Sequence, residues 1–211
     1  MSPIARLLTC ALIVASAPAQ AAPVIPPARD LGQGLLYYRV HLLPDDLPPG
    51  PAGKPGACIL DLRFAKSDES AASALKAWIR FNASAHSPVF VLENSETVPS
   101  ILAAVPQGTS GLVVLAPESA KLGPDVTVRV EAELDRRAYQ ALERGTPVES
   151  LLKDYPAKPR IDEEYLQKEH LPDSGAPEAA GDKHSPPGPL IDAMLQRAVQ
   201  LHRGLLALRR I

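Results

Sequence analysis

Cysteine is scarce: the 211 residues hold two, Cys10 and Cys58. Cys10 falls in an apolar N-terminal run, so a chain cut beyond it keeps only Cys58 and has no internal disulfide to rest on. Cys58 lies in the apolar stretch 57–60, which reads as a buried small hydrophobe rather than a reactive thiol. Aromatic residues make up 4% of the chain, too few for a platform that stacks bases or sugars. Charge of one sign is missing too. The 22 Lys and Arg stand against 24 Asp and Glu, which points away from a nucleic-acid footprint and from a polybasic membrane contact. The histidines, His41, His86, His170, His184 and His202, have no metal-ligand spacing, and there is no glycine-rich phosphate loop. No cofactor and no metal are expected.

Long hydrophobic runs are absent as well. The longest, from Leu7 to Ala17, is about 11 residues, against the roughly 20 a membrane-spanning helix needs. It follows a single cation, Arg6, and small residues after it end in Ala19-Gln20-Ala21, the three-zone pattern of a cleavable export signal. Acylation at Cys10 is disfavoured because Thr9 is too large for the preceding position and the apolar run continues past the cysteine. Residues 1–21 are therefore read as a signal peptide, cut near Ala21, and the protein as periplasmic or extracellular.

What is abundant is proline, 23 in all, and it marks loops. Pro23 to Pro27 reads as an extended leader, and Pro44 to Pro55 as a loop between strands. Residues 172–189, with Gly175, Gly181 and Gly188, read as a flexible linker. This divides the chain into a domain over 22–171, the linker, and a C-terminal helix over 190–211. The acidic run Asp162, Glu163 and Glu164 reads as solvated.

Between the loops, strand and helix signals alternate. Strands are expected at Leu35 to Leu43, Cys58 to Phe64, Val89 to Leu92, Gly111 to Ala116 and Val126 to Val130. One helix follows Ser67 as N-cap, with Ala71, Ala74, Leu75, Trp78 and Ile79 on its apolar face. A short one runs from Val98 to Val105 behind Thr97, where Pro99 is tolerated in the first turn. Two more are read at Arg136 to Glu143, ended by Gly145, and at Pro147 to Asp154, opened by Thr146 with Glu149 as a capping box. The alternation implies an α/β fold with a mostly parallel sheet and flanking helices. The last helix, Leu190 to Arg209, carries a stripe of Ile191, Leu195, Ala198, Leu201 or His202, Leu205 and Leu208. It is read as covering the chain's own sheet, with self-association through this helix as the alternative.

The order of these pieces resembles the carboxyl-terminal processing, or tail-specific, proteases of the peptidase S41 type. Gly34-Leu35-Leu36-Tyr37-Tyr38-Arg39-Val40 is similar to that family's opening strand, and Cys58-Ile59-Leu60-Asp61-Leu62-Arg63 to its Ile-Leu-Asp-Leu-Arg strand. Pro88-Val89-Phe90-Val91-Leu92-Glu93-Asn94 resembles the strand before the nucleophile. Gly123-Pro124-Asp125-Val126-Thr127-Val128 resembles the Gly-Ile-x-Pro-Asp segment, and Asp192 with Leu195 and Ala198 the closing Asp-x-x-Leu-x-x-Ala helix. The resemblance implies a reduced ClpP/crotonase-like fold.

The departures fall on the chemistry. Aligned on Thr97, the family's nucleophilic serine becomes Pro99, which has no attacking atom. The loop that carries the family's lysine is shortened to Pro117-Glu118-Ser119-Ala120-Lys121, and the peptide-binding module usually found ahead of the core is not expected, since the first strand follows closely on the expected cleavage site. No catalytic residue is expected; the weak candidates are Ser100 as nucleophile and Lys121 as base, the latter among acids that keep it protonated. The resemblance also implies a groove for an extended peptide or envelope protein, with Asn94, Thr97 and Ser100 as its lining.

Overall fold

The structure is a computed structural model and describes residues 28–48, 56–67, 70–120, 123–152 and 189–211. Residues 1–21, read as a signal peptide, residues 172–188 of the expected linker, the acidic run and Lys121 lie outside the described residues.

Six strands form one sheet in chain order: β1 (Arg29–Asp30), β2 (Leu36–Arg39), β4 (Cys58–Asp61), β6 (Val89–Leu92), β7 (Leu112–Pro117) and β8 (Val126–Val128). Only the β1–β2 pair is antiparallel, so the sheet is mixed but mostly parallel. Two short strands, β3 (Leu42–Leu43) and β5 (Lys66–Ser67), make a separate parallel pair. The central strands β4 and β6 are buried at every position, which is why they read in the sequence as unbroken apolar runs rather than as an alternation.

Parallel strands laid side by side in chain order, joined by right-handed crossovers, put their connecting helices on one face. Helices α1 (Ala71–Asn82) and α2 (Pro99–Ala104) occupy that face, and Leu75, Ile79 and Ile101 pack on Leu60, Val89 and Val91. The opposite face has to be covered from elsewhere. It is closed by α3 (Ala132–Glu143), the 3-10 turn Val148–Leu151 and the last helix α4 (Ala193–Ala207), with Met194, Leu195 and Ala198 against Ile59, Phe90 and Leu115. The period of two within each strand splits the two cores: Phe90 and Leu92 face α4, while Val89 and Val91 face α1.

Several boundaries differ from the sequence reading, each for a local reason. Ser67 belongs to β5, so the N-cap position of α1 is Ser70, not Ser67. Thr97 does not cap α2, whose N-cap position is Val98 with Pro99 at the first turn, because its hydroxyl is drawn inward. The segment after Thr146 is a single 3-10 turn, not a helix to Asp154. Thr146 instead closes α3: its amide donates to the Ala141 carbonyl and that of Gly145, at φ 87°, to Leu142, a Schellman ending. In α4 the buried face is Met194, Leu195, Ala198, Val199 and His202, whereas Leu208 is 72% exposed. That rotation is set by Asp192, as described next.

Candidate functional site

In parallel α/β sheets ligands and reacting groups gather beyond the carboxyl ends of the strands. Here β4 ends on Asp61 and runs into Leu62 and Arg63, and β6 runs into Glu93 and Asn94. All of these are buried.

Arg63 is fully buried, and its guanidinium spends every N–H it has. Nε donates to Asp61 Oδ1 at 3.0 Å and Nη2 to Asp61 Oδ2 at 2.7 Å, a two-pronged contact. A second fork holds Asp192, with Nη2 to Oδ2 at 2.8 Å and Nη1 to Oδ1 at 3.1 Å. The remaining Nη1 proton goes to Asp135 Oδ1 at 2.7 Å. The carboxylates are themselves tied down. The Tyr37 hydroxyl donates to Asp61 Oδ2 at 2.8 Å, Asn94 Nδ2 to Asp135 Oδ2 at 3.0 Å, and the Leu195 amide to Asp192 Oδ1 at 2.9 Å, which caps α4. A planar fork with five donors is the side chain suited to such a junction, and lysine is not.

One cation against three acids leaves an excess of negative charge in the interior. Burial alone opposes the Arg63 charge, but the neighbouring Asp192 and Asp61 outweigh it and hold the guanidinium protonated. Burial pushes the Asp192 carboxyl above its usual range, with Arg63 pulling the other way. Burial and then the Asp61 charge raise the Tyr37 phenol well above its ordinary value, so it stays a donor. The network therefore joins β2, β4, α3 and α4, elements up to 129 residues apart, and fixes how α4 rests on the sheet.

The candidate groove residues divide. Asn94 and Thr97 are each 3% exposed and serve a turn: Thr97 Oγ1 accepts the Asn94 amide at 2.9 Å and approaches the Leu62 carbonyl at 3.3 Å. Asn94 Oδ1 accepts the Glu96 amide at 3.0 Å. Ser100 is exposed on the first turn of α2, next to Pro99, and its hydroxyl lies 2.7 Å from that of Ser67. Among the described residues no histidine, lysine or carboxylate hydrogen-bonds Ser100. The exposed pair Arg136 and Glu96, 3.0 Å apart, closes the rim between α3 and the 94–97 turn.

The sequence reading missed Asp135 and Glu93. Asp135 sits in an ordinary charged helix, Ala132–Glu143, and only the fold turns it inward. Glu93 had a legible signal, a charged residue placed directly after a fully apolar parallel strand. Among the described residues no group of three or more His, Cys, Asp or Glu side chains is arranged to hold a metal ion. No helix among them is long and apolar enough to cross a membrane. No family model matches the chain, and no curated protein or solved structure matches it.

Proposed function

We propose that this chain is an exported, non-catalytic relative of the tail-specific proteases, a reduced ClpP/crotonase-like domain that binds or scaffolds in the cell envelope. The observation that carries the reading is at the start of α2. Its first residue is Pro99, and the adjacent serine, Ser100, shares its hydroxyl with Ser67. A second serine hydroxyl cannot take up the proton that an attacking serine hydroxyl must lose, since its conjugate acid is far too strong at neutral pH. The carboxyl end of β4, where an α/β fold often keeps reactive groups, is spent on a closed ion network with no donor left over on Arg63. The order of the strands, the Asp-x-x-Leu start of α4 and the export signal support the family part of the reading. With Asn94 and Thr97 turned inward, the surface left for a partner at this end is the rim of Ser95, Glu96 and Ser100.

The competing reading is a divergent serine hydrolase using Ser100 with Lys121 as base. An unfolded polypeptide incubated with the purified chain separates the two. The expected result is no cleavage above background by wild type, Ser100→Ala or Lys121→Ala. Cleavage by the wild type that disappears in either variant would establish the hydrolase instead.

A further inference from the structure

On the other side of the same sheet end, Glu93 faces α2 rather than α4. It is 4% exposed, and its Oε1 accepts no hydrogen bond from any described residue. A buried carboxylate oxygen without a donor is costly, and native folds keep such groups where something else satisfies them. Glu93 lines a cavity of about 240 Å³ with Val105 and Val114 buried beside it. Gln107, Gly108, Gly123 and Asp125 form the exposed mouth. Asp125 is held there by the Val114 amide, which donates to its Oδ2 at 2.8 Å. Among the described lining residues the arrangement is a carboxylate at the floor, the side chains of Leu102, Val105 and Val114 on the walls and a second carboxylate at the entrance, with no cationic side chain.

We infer that this cavity is a binding site for a small organic cation, an alkyl guanidinium or alkyl ammonium whose charged head meets Glu93. A hard dication takes six or more oxygen ligands, and among the described lining residues only the side chains of Glu93, Asp125 and Gln107 offer oxygens. A guanidinium is weakly hydrated and donates several hydrogen bonds, so it enters such a cavity more readily than a metal ion. A cavity near 150 Å³ takes a benzene-sized molecule, so about 240 Å³ holds roughly ten non-hydrogen atoms, a charged head with a short aliphatic stem. Burial pushes the Glu93 carboxyl up to about 7, so a cation entering the cavity drives off a proton. Asp125 is the other titratable group among the described lining residues. The inference goes beyond the non-catalytic reading and does not need it.

Calorimetric titration of the full chain with butylguanidinium tests it. Binding is expected at about pH 8, about tenfold weaker at about pH 6, where a carboxyl titrating near 7 is mostly protonated. Glu93→Gln is expected to lose at least about tenfold in affinity at the higher pH and Asp125→Asn a few-fold, both melting as cooperatively as wild type. Butanol, of similar stem but uncharged, is expected not to bind. Tighter binding of the tripeptide Gly-Arg-Gly than of butylguanidinium would make the source a polypeptide side chain, and the reverse order a free small cation; both support the site. Equal binding by Glu93→Gln and Asp125→Asn, equal binding of butanol, or no binding at all would overturn it. Binding gained only in Lys121→Met would overturn it as well, since the chain's own ammonium would then be the occupant.

Discussion

Replacing Arg63 with methionine is expected to cost about 4 kcal/mol or more of folding stability, a large part of the 5–15 kcal/mol typical of a domain. The reason is asymmetry. A satisfied buried ion pair contributes modestly, but removing one partner strands the others, and here Asp61, Asp135 and Asp192 would face one another without a cation. For a chain of this size the loss is read as a fall in melting temperature of about 10 °C or more. Asp192→Asn removes one fork and part of the α4 cap, and about 1–3 kcal/mol is expected. The two changes remove the same contact, so together they should cost clearly less than their sum. The pH dependence has a definite sign. In Arg63→Met the Asp192 carboxyl, which burial already raises, loses the guanidinium that pulls it down, and stability from a raised carboxyl is present at low pH and lost as pH rises. The deficit against wild type should therefore shrink as pH is lowered from neutral. A deficit that does not change with pH, with fully additive costs, would mean that the four side chains do not meet.

The second large effect is expected at Gly111, which opens β7 at φ 79°. Its carbonyl accepts the Val89 amide at 2.8 Å, so the residue starts the β6–β7 pairing. A Cβ built there runs into the backbone of Ser84, in the turn between α1 and β6 whose Ser84 and Ser87 exchange amide bonds at 3.1 Å. The obstacle is main chain, which cannot swing away as a side chain would. Gly111→Ala combines left-handed strain with overpacking, each about 1–3 kcal/mol, and should destabilise by about 3 kcal/mol in a denaturant melt. Gly108→Ala is the matched control. Gly108 is also at positive φ, 69°, but a Cβ there meets nothing, so only the conformational cost of about 1 kcal/mol remains. Equal costs at the two glycines would remove the close approach of the two turns.

These two sites mark where the sequence was readable and where it was not. Val89–Leu92 and Cys58–Asp61 are legible because a parallel strand buried on both faces has to be an apolar run with abrupt ends. Gly145 is legible as a helix stop because the left-handed C′ position favours glycine. The network is not legible. Arg63, Asp135 and Asp192 each look like ordinary surface charges in their own segments, and only a sheet that places α3 and α4 over the end of β4 makes them one group. The register of α4 was hidden for the same reason. Its stripe permits several rotations, and the salt bridge from Asp192 to Arg63 selects the one that buries Met194 and Val199. Thr97 had the sequence profile of a helix cap, but the turn beginning at Asn94 competes for its hydroxyl and wins.

The proposed function requires that no activated serine stands at the start of α2. The direct measurement is intact-mass analysis of the purified chain after treatment with a fluorophosphonate, which marks an activated serine without requiring a substrate. An unshifted mass is expected for wild type and for Ser100→Ala alike. A single adduct on the wild type that vanishes in Ser100→Ala would contradict it.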